Sequence, residues 1–281
     1  MTLRVRNRLI SVSAAAVLAV SVLLSLLVGF EIWTRGGIGP LVNGLPDLHE
    51  AGSLYGIPVP FTGTSYGYLL LSILVPVPVA VGAAVLTRRY FRTSITPTIF
   101  FVTVSMILSG MTSLRMAQFL LPRYGFTFTH MATLSRAVYA IHIAGALSLF
   151  TASIYAAGAQ YTRIWGAFIA VGAVALSFAY VLPVDTFQLD EALLHRLASS
   201  GNVQLVTGVL ALLTLVNFLR YGIEAEDSGR AAVPLAVGAM LLAREVLFYV
   251  SGLPLHLAVA IVYTVGFVLF VRNSYAVYLW T

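Results

Sequence analysis

The feature that most constrains this chain is a series of eight apolar runs, each close to twenty residues long, separated by polar connections. One such run crosses the hydrocarbon core of a bilayer as an α-helix, whereas a transmembrane β-barrel would show alternating segments of about ten residues. These runs are continuous and rich in Leu, Val and Ala. Only 9% of the 281 residues are charged, against about 25% in water-soluble domains. The predicted fold class is therefore an all-α polytopic membrane protein with eight transmembrane helices.

We expect the whole chain, residues 1–281, to form a single helical bundle. The eight predicted spans cover residues 9–33, 66–86, 96–121, 131–157, 164–182, 203–219, 231–251 and 253–271. Two longer polar loops lie at about 34–65 and 183–202. The first run is taken as a retained span and not as a signal peptide, because no convincing small-residue cleavage site follows it. The turn Ser251-Gly252-Leu253-Pro254 separates the last two spans.

The distribution of arginine predicts the orientation of the bundle. Eight spans place both termini on one side, and ten of the sixteen arginines fall on that side or at its membrane edge: 4, 6, 8, 88, 89, 92, 163, 220, 230 and 272. Cytoplasmic loops carry the excess of basic residues. We therefore expect cytoplasmic N- and C-termini in a plasma or inner membrane, with the loops 34–65 and 183–202 on the outer side.

The composition excludes several classes of function. The chain has no cysteine, which removes disulfides, thiolate metal ligands and a cysteine nucleophile. It has no lysine either, so a retinal Schiff base cannot form. The net charge of +6 does not indicate nucleic-acid binding, because the arginines form no patch on a soluble domain. Gly-rich phosphate loops and the HExxH and GxSxG motifs are absent from the sequence.

Four charged residues lie deep within predicted spans: Arg115, Arg136, Arg244 and Glu245. A charge at the bilayer centre costs roughly 2.5–3.5 kcal/mol on insertion scales, so the fold has to compensate for each of them. Arg244 and Glu245 lie about 20 Å from the inner end of span seven at the helical rise per residue. The other two fall at similar depth, which places all four charges in the outer half of the bilayer.

Polar neighbours at helical spacing extend this pattern on spans three and four. The residues are Ser105, Ser109, Thr112, Arg115 and Gln118 on span three, and Arg136, Tyr139 and His142 on span four. Successive helical residues point about 100° apart, so Arg244 and Glu245 cannot both face one neighbouring helix. We expect Glu245 to pair with Arg136 or Arg115 across a helix interface. The resulting candidate site, built from spans three, four, seven and eight, comprises Arg115, Gln118, Arg136, Tyr139, His142, Arg244, Glu245 and Tyr249.

Two interpretations of this charge cluster remain open. In the first the charges have a structural role alone: they form a buried network that fixes helix packing, or Arg115 and Arg136 snorkel to the outer headgroups. In the second they line a cavity that is open to the outer side. Three arginines against one carboxylate would suit an anionic or polar-headed ligand such as a lipid, a quinone or a carboxylate.

The sequence predicts no cofactor and no metal. His142 is central in its span, whereas His130 and His256 lie at outer helix ends, so the depths do not suit a bis-histidine haem. The loop residues that would offer a metal site are Asp47, His49, Glu50, Asp190, Glu191 and His195. Solvated loop side chains are the commoner explanation for such residues.

Two further patterns bear on transport and on internal symmetry. Pro76 and Pro78 should kink or break span two, but span six contains no matching proline, which argues against an inverted-repeat carrier. The segments that begin at Arg115 and Arg244 each place a phenylalanine four residues later and lead through proline into a span with a central tyrosine. A parallel four-plus-four duplication of the spans would leave such a similarity, which here involves only a handful of positions.

The leading functional hypothesis is a non-enzymatic membrane subunit or receptor-like module that binds a lipid-like or anionic ligand or a partner protein. Its expected partners are membrane lipid and a protein docked on the cytoplasmic loops and the C-terminal tail, residues 275–280. One alternative is a small-molecule or ion transporter. Another is an intramembrane enzyme that acts on a lipid or isoprenoid through Glu245, His142 and Asp185.

Overall fold

The computed structural model describes residues 3–37, 53–54, 57–58, 66–91, 96–158, 164–189, 193–197, 200–223, 228–250 and 252–279. Over these residues eight helical segments are long and apolar enough to cross a membrane, which confirms the predicted fold class of an all-α polytopic membrane protein. In chain order, spans 1 to 8 are Leu3–Thr34; Tyr66–Leu74 with Pro76–Tyr90; Pro97–Met111 with Thr112–Phe119; Phe128–Ala156; Ile164–Val181; Ser200–Ile223; Ser228–Tyr249; and Leu253–Leu279.

The two longer loops contain short antiparallel hairpins, which the sequence analysis did not predict. Ser53–Leu54 pairs with Ile57–Pro58 between spans 1 and 2, and Val184–Leu189 pairs with His195–Leu197 between spans 5 and 6. The residues considered above as metal ligands, together with Asp185 and the tail 275–280, lie outside the residues or side chains that the structure describes.

Span 2 breaks at the predicted proline pair. The helix ends at Leu74 and restarts at Pro76, and the N–H of Val75 donates to the Ser72 carbonyl at 3.2 Å. Proline has no N–H to donate and its ring clashes with the preceding turn, which accounts for the interruption. The predicted kink or break is therefore confirmed.

Span 3 changes its helical type halfway along. Its α-helix starts at a Thr96 cap, whose hydroxyl accepts from the Ile99 N–H, and ends at Met111. An eight-residue 3₁₀ helix, Thr112–Phe119, follows. At this junction the Ser109 hydroxyl donates to the Ser105 carbonyl and the Thr112 hydroxyl to the Ser109 carbonyl. Side-chain bonds of this kind compete with the α-helical ladder and bend it.

Spans 3 and 4 form the centre of the bundle. Span 4 packs against spans 3, 5 and 6, and span 7 lies between spans 6 and 8. In the apolar stretches of spans 1, 5 and 6 fewer than a quarter of the residues are buried, as expected for helices that face lipid. At Gly266 an added Cβ would come within 3.0 Å of the Ala236 carbonyl oxygen, so this glycine permits the close crossing of spans 7 and 8.

Candidate functional site

The centre of the site is an ion pair between two adjacent residues of span 7. Arg244 Nη1 donates to Glu245 Oε1 at 2.6 Å, and both side chains are buried. The prediction that Glu245 pairs with Arg136 or Arg115 across a helix interface is therefore wrong; among the described side chains its arginine partner is Arg244. Cβ directions 100° apart do not prevent the contact, because the arginine side chain is long enough to bring its guanidinium back to the neighbouring carboxylate.

His142 of span 4 joins the pair from the opposite side. Arg244 Nη2 donates to the His142 carbonyl and also lies 3.1 Å from His142 Nδ1. A guanidinium has only donors, so Nδ1 has to accept and the ring hydrogen belongs on Nε2. Nε2 faces Glu245 Oε2 at 3.4 Å, which is long for a hydrogen bond. The histidine thus presents its acceptor to the arginine and its donor to the carboxylate.

Span 6 contributes the remaining partner of the carboxylate. Thr207 Oγ1 lies 3.2 Å from both Glu245 Oε2 and the Gln204 carbonyl oxygen, so its one hydrogen is shared between them, and the threonine is fully buried. Glu245 is therefore surrounded by Arg244 and His142 as well as by Thr207. An ionised carboxylate has about four acceptor positions, so these three neighbours leave room for one further donor. The sequence analysis did not include span 6 in the site.

The Arg115 guanidinium binds the C-terminal end of span 7 and not the Glu245 carboxylate. Its Nη1 donates to the Phe248 carbonyl at 3.1 Å and its Nη2 to the Leu247 carbonyl at 3.2 Å. Span 7 ends at Tyr249, so these carbonyls belong to the last turn, where no helical N–H remains to satisfy them. The cation also complements the negative end of the helix dipole. Arg115 is thus a C-terminal cap supplied by a neighbouring span.

His256 and Phe248 complete this end of the site. His256 Nε2 lies 3.3 Å from the Leu247 carbonyl and its Nδ1 lies 2.9 Å from the Gly252 carbonyl. The Phe248 ring stacks on the His142 imidazole at 3.7 Å between centroids, and the Arg115 guanidinium lies 6.0 Å from the same ring. Phe248 therefore lies between the cap and the ion pair and joins them into one packed unit.

The structure places the remaining candidates around this unit. Tyr139 packs edge-on against Phe248, and Tyr249 packs edge-on against His142. Gln118 lies apart from the ion pair; its amide nitrogen donates to the Met131 carbonyl at 3.0 Å and to Ser135 Oγ at 2.8 Å. Arg136 is half-buried, and its Nε has no hydrogen-bond partner among the described residues.

An apolar cleft of about 350 Å³ separates spans 6 and 7 and ends at Glu245. The residues that line it recur at three- and four-residue spacing, so each span contributes one helix face. They are Gly208, Ala211, Leu212 and Leu215 on span 6 and Gly238, Leu241, Leu242 and Glu245 on span 7. Leu212 and Leu242 are each 62% exposed, so the cleft opens sideways, on the perimeter of the bundle. Among the described residues that line it, Glu245 is the one that carries a charge.

Several site contacts carried no clear signal in the sequence. Thr207 is a single threonine in an apolar span, and His256 lies one turn inside span 8. Tyr263, noted above only as a central tyrosine, has its hydroxyl 3.0 Å from Ser109 Oγ of span 3. Only the tertiary packing brings these groups together.

A second polar cluster lies at the far end of span 1. Glu31 pairs with Arg35 at 2.8 Å, and the Tyr124 hydroxyl donates to the Glu31 carboxylate at 3.1 Å. This hydrogen bond raises the pKa of Tyr124 above its ordinary value, because the carboxylate favours the protonated phenol. The cluster ties span 1 to the turn that follows span 3.

Among the described residues no group of three His, Cys, Asp or Glu side chains is placed to hold a metal ion. No protein-family model, curated protein or solved structure matches this chain.

Proposed function

We propose that this multi-pass membrane protein is a non-enzymatic binding module for a lipid-like molecule, which occupies the cleft between spans 6 and 7 and donates a hydrogen bond to Glu245. The observation that carries the proposal is the position of Glu245, a single carboxylate at the end of an otherwise apolar cleft. Intramembrane ionisable residues that face a cavity commonly mark a binding site.

The shape of the cleft suits an apolar chain. From Gly238 to Glu245 it follows two turns of span 7, about 10 Å at the helical rise per residue. Its volume of about 350 Å³ lies at the small end of the range for ligand sites. Because the cleft opens beside exposed leucines, a ligand would enter from the lipid phase and not from water.

The charges favour a ligand with a donor group over an anion. Two guanidinium nitrogens of Arg115 are taken up by backbone carbonyls, and Arg244 is held by Glu245 and His142. The group that faces the cleft is the carboxylate, which would repel an anion and accept from a hydroxyl or an amine. Of the ligands considered from the sequence, a lipid-like molecule with a hydroxyl head fits these contacts best.

Photo-crosslinking of the purified full chain tests the proposal. The probe is a long-chain fatty alcohol that carries a diazirine, compared with its methyl ether, which has no donor. Gly238→Leu should fill the cleft, since a Cβ at Gly238 meets only Leu215 Cδ1 at 3.6 Å. The matched control is Gly172→Leu on span 5, where an added Cβ meets nothing within 4 Å.

We expect the alcohol to label spans 6 and 7, the ether to label them several-fold less, and Gly238→Leu but not Gly172→Leu to abolish labelling. Equal labelling by alcohol and ether would exclude Glu245 as the polar anchor. Labelling that is unaffected by Gly238→Leu would place the ligand elsewhere and overturn the proposal.

We further propose that both termini are cytoplasmic in a plasma or inner membrane, supported by the arginine distribution. A protein partner would then dock on the cytoplasmic loops and the C-terminal tail. The absence of cysteine makes single-cysteine labelling straightforward. In intact cells a membrane-impermeant maleimide should modify Thr129→Cys, near the start of span 4, but not Ser274→Cys, near the end of span 8. The reverse pattern would invert the topology.

A further inference from the structure

A second pocket, distinct from the Glu245 cleft, lies where span 1 begins and span 2 ends. It has a volume of about 700 Å³ and is lined by Asn7 of span 1 and by Val85, Arg88 and Arg89 of span 2. Spans 1 and 2 pack against each other along the bundle, which brings the start of one beside the end of the other. The pocket therefore lies at one end of the bundle, beside the polar boundary of the membrane.

The charge around this pocket is strongly positive among the side chains that the structure describes. Arg88 and Arg89 line it, and Arg4, Arg6 and Arg8 lie within three residues of Asn7 in the chain. The carboxylates among these side chains are Glu31 and Glu245. Glu31 lies about 36 Å further along span 1 at the helical rise per residue, and Glu245 belongs to the other site. Neither of them can neutralise the guanidinium groups of the pocket.

The polar and apolar walls of the pocket define what would fill it. Guanidinium groups bind phosphate oxygens through paired, charge-assisted hydrogen bonds. Asn7 Oδ1 is buried and has no hydrogen-bond partner among the described residues, so it presents an acceptor that a hydroxyl would satisfy. Val85 is 59% exposed and offers an apolar surface next to the arginines. Phosphate, hydroxyl and hydrocarbon are therefore all accommodated in one place.

We propose that this pocket binds the headgroup of an anionic phospholipid with a hydroxylated head, such as phosphatidylglycerol. The phosphate lies between Arg88 and Arg89, a headgroup hydroxyl donates to Asn7, and the acyl chains follow the exposed face of span 2 beyond Val85. Basic pockets between transmembrane helices bind anionic lipids in this manner. The proposal does not depend on the Glu245 cleft, whose ligand is uncharged and enters between other spans.

Native mass spectrometry of the full chain in a neutral detergent measures this binding directly. Phosphatidylglycerol is compared with phosphatidylcholine, which carries no net charge. Arg88→Gln and Arg89→Gln should each weaken retention of phosphatidylglycerol roughly tenfold, because each removes a charge-assisted contact to phosphate. Arg272→Gln is the matched control, since it removes one exposed arginine of span 8 that does not line the pocket. Size-exclusion profiles check that every variant is folded.

A second variant tests the headgroup itself. Asn7→Ala should reduce retention of phosphatidylglycerol severalfold and leave phosphatidic acid, which has no headgroup hydroxyl, unchanged. Equal losses for the two lipids would overturn the assignment of the hydroxyl to Asn7. If Arg272→Gln weakens binding as much as Arg88→Gln, the lipid responds only to overall charge and the pocket has no role. Displacement of the lipid by millimolar inorganic phosphate would make this a site for soluble phosphate and overturn the lipid assignment.

Discussion

Arg244 and Glu245 are consecutive in the chain, and their side chains form a buried ion pair with 2.6 Å between Nη1 and Oε1. The arginine then extends toward span 4, where its other nitrogen binds the His142 carbonyl and ring. A contact between neighbours within one helix thereby becomes part of the interface between spans 4 and 7.

Removal of either partner of the pair should be strongly destabilising. Glu245→Met leaves the Arg244 charge buried and uncompensated, which costs about 3–5 kcal/mol of unfolding free energy. Arg244→Met does the same to the carboxylate. Denaturant titration of the protein in detergent measures both losses.

The double variant Arg244→Met/Glu245→Met separates pairing from packing. Because no unpaired charge remains, it should be more stable than either single variant. The double-mutant cycle should give a coupling free energy between the two residues of at least about 1 kcal/mol. Simple addition of the two single losses would show that the residues do not act as a pair.

Arg115→Lys should destabilise the end of span 7. Lysine offers a single charged centre without the planar fork, so it satisfies one of the two carbonyls of Leu247 and Phe248 and leaves the other unmet. The expected loss is about 1.5–3 kcal/mol, the range for a hydrogen bond to a charged group. Arg136→Lys, at a half-buried position of span 4, should change stability by less than about 0.5 kcal/mol. Equal effects at the two positions would contradict the capping role.

Gly145→Ala should disturb the arginine without changing any charge. A Cβ at Gly145 would lie 3.2 Å from Arg244 Nε and 3.5 Å from its Nη2, and the guanidinium cannot withdraw because Glu245 and His142 hold it. We expect a net loss of about 1 kcal/mol, since overpacking exceeds the gain in helix propensity. Gly172→Ala, in open space, should cause no loss when both variants are unfolded under identical conditions. A neutral Gly145→Ala would mean that the arginine is not fixed in place.

Two threonines of span 6 form a matched pair for the contact to Glu245. Thr207→Val removes the donor to Oε2 and should cost about 1–2 kcal/mol. Thr214 is equally buried but donates only to the Leu210 carbonyl of its own helix, so Thr214→Val should be nearly neutral. The comparison needs only thermal unfolding of the two variants in the same detergent. A larger loss at Thr214 would show that the Glu245 contact contributes nothing.

The spans were predictable because each one depends on a local property of the chain. Apolar length fixes where a helix can cross a bilayer, and proline fixes where span 2 breaks. The spacing of polar residues in the sequence also gives a weak indication that span 3 changes from an α-helix to a 3₁₀ helix. Ser105 and Ser109 are four residues apart, whereas Thr112, Arg115 and Gln118 are three apart, which matches the three residues per turn of a 3₁₀ helix.

The partners of the charged groups were not predictable in the same way. Spacing along a helix shows which residues share a face, but it does not show how far an arginine side chain will reach. Arg115 was one of the two arginines expected to pair with the carboxylate, and instead it caps the end of span 7. This contact was missed because its two carbonyls belong to residues without a polar side chain. Backbone groups at a helix end do not appear in a pattern of side chains.

The sequence by itself determined an eight-span helical bundle with two adjacent charged residues, Arg244 and Glu245, inside one span, since hydrophobic length and the cost of burying charge depend on residue type alone. The tertiary structure decided that these two residues pair with each other and which groups surround them. Helix rotation and crossing set those contacts, and they brought His142 from span 4, Thr207 from span 6 and an apolar cleft to one carboxylate.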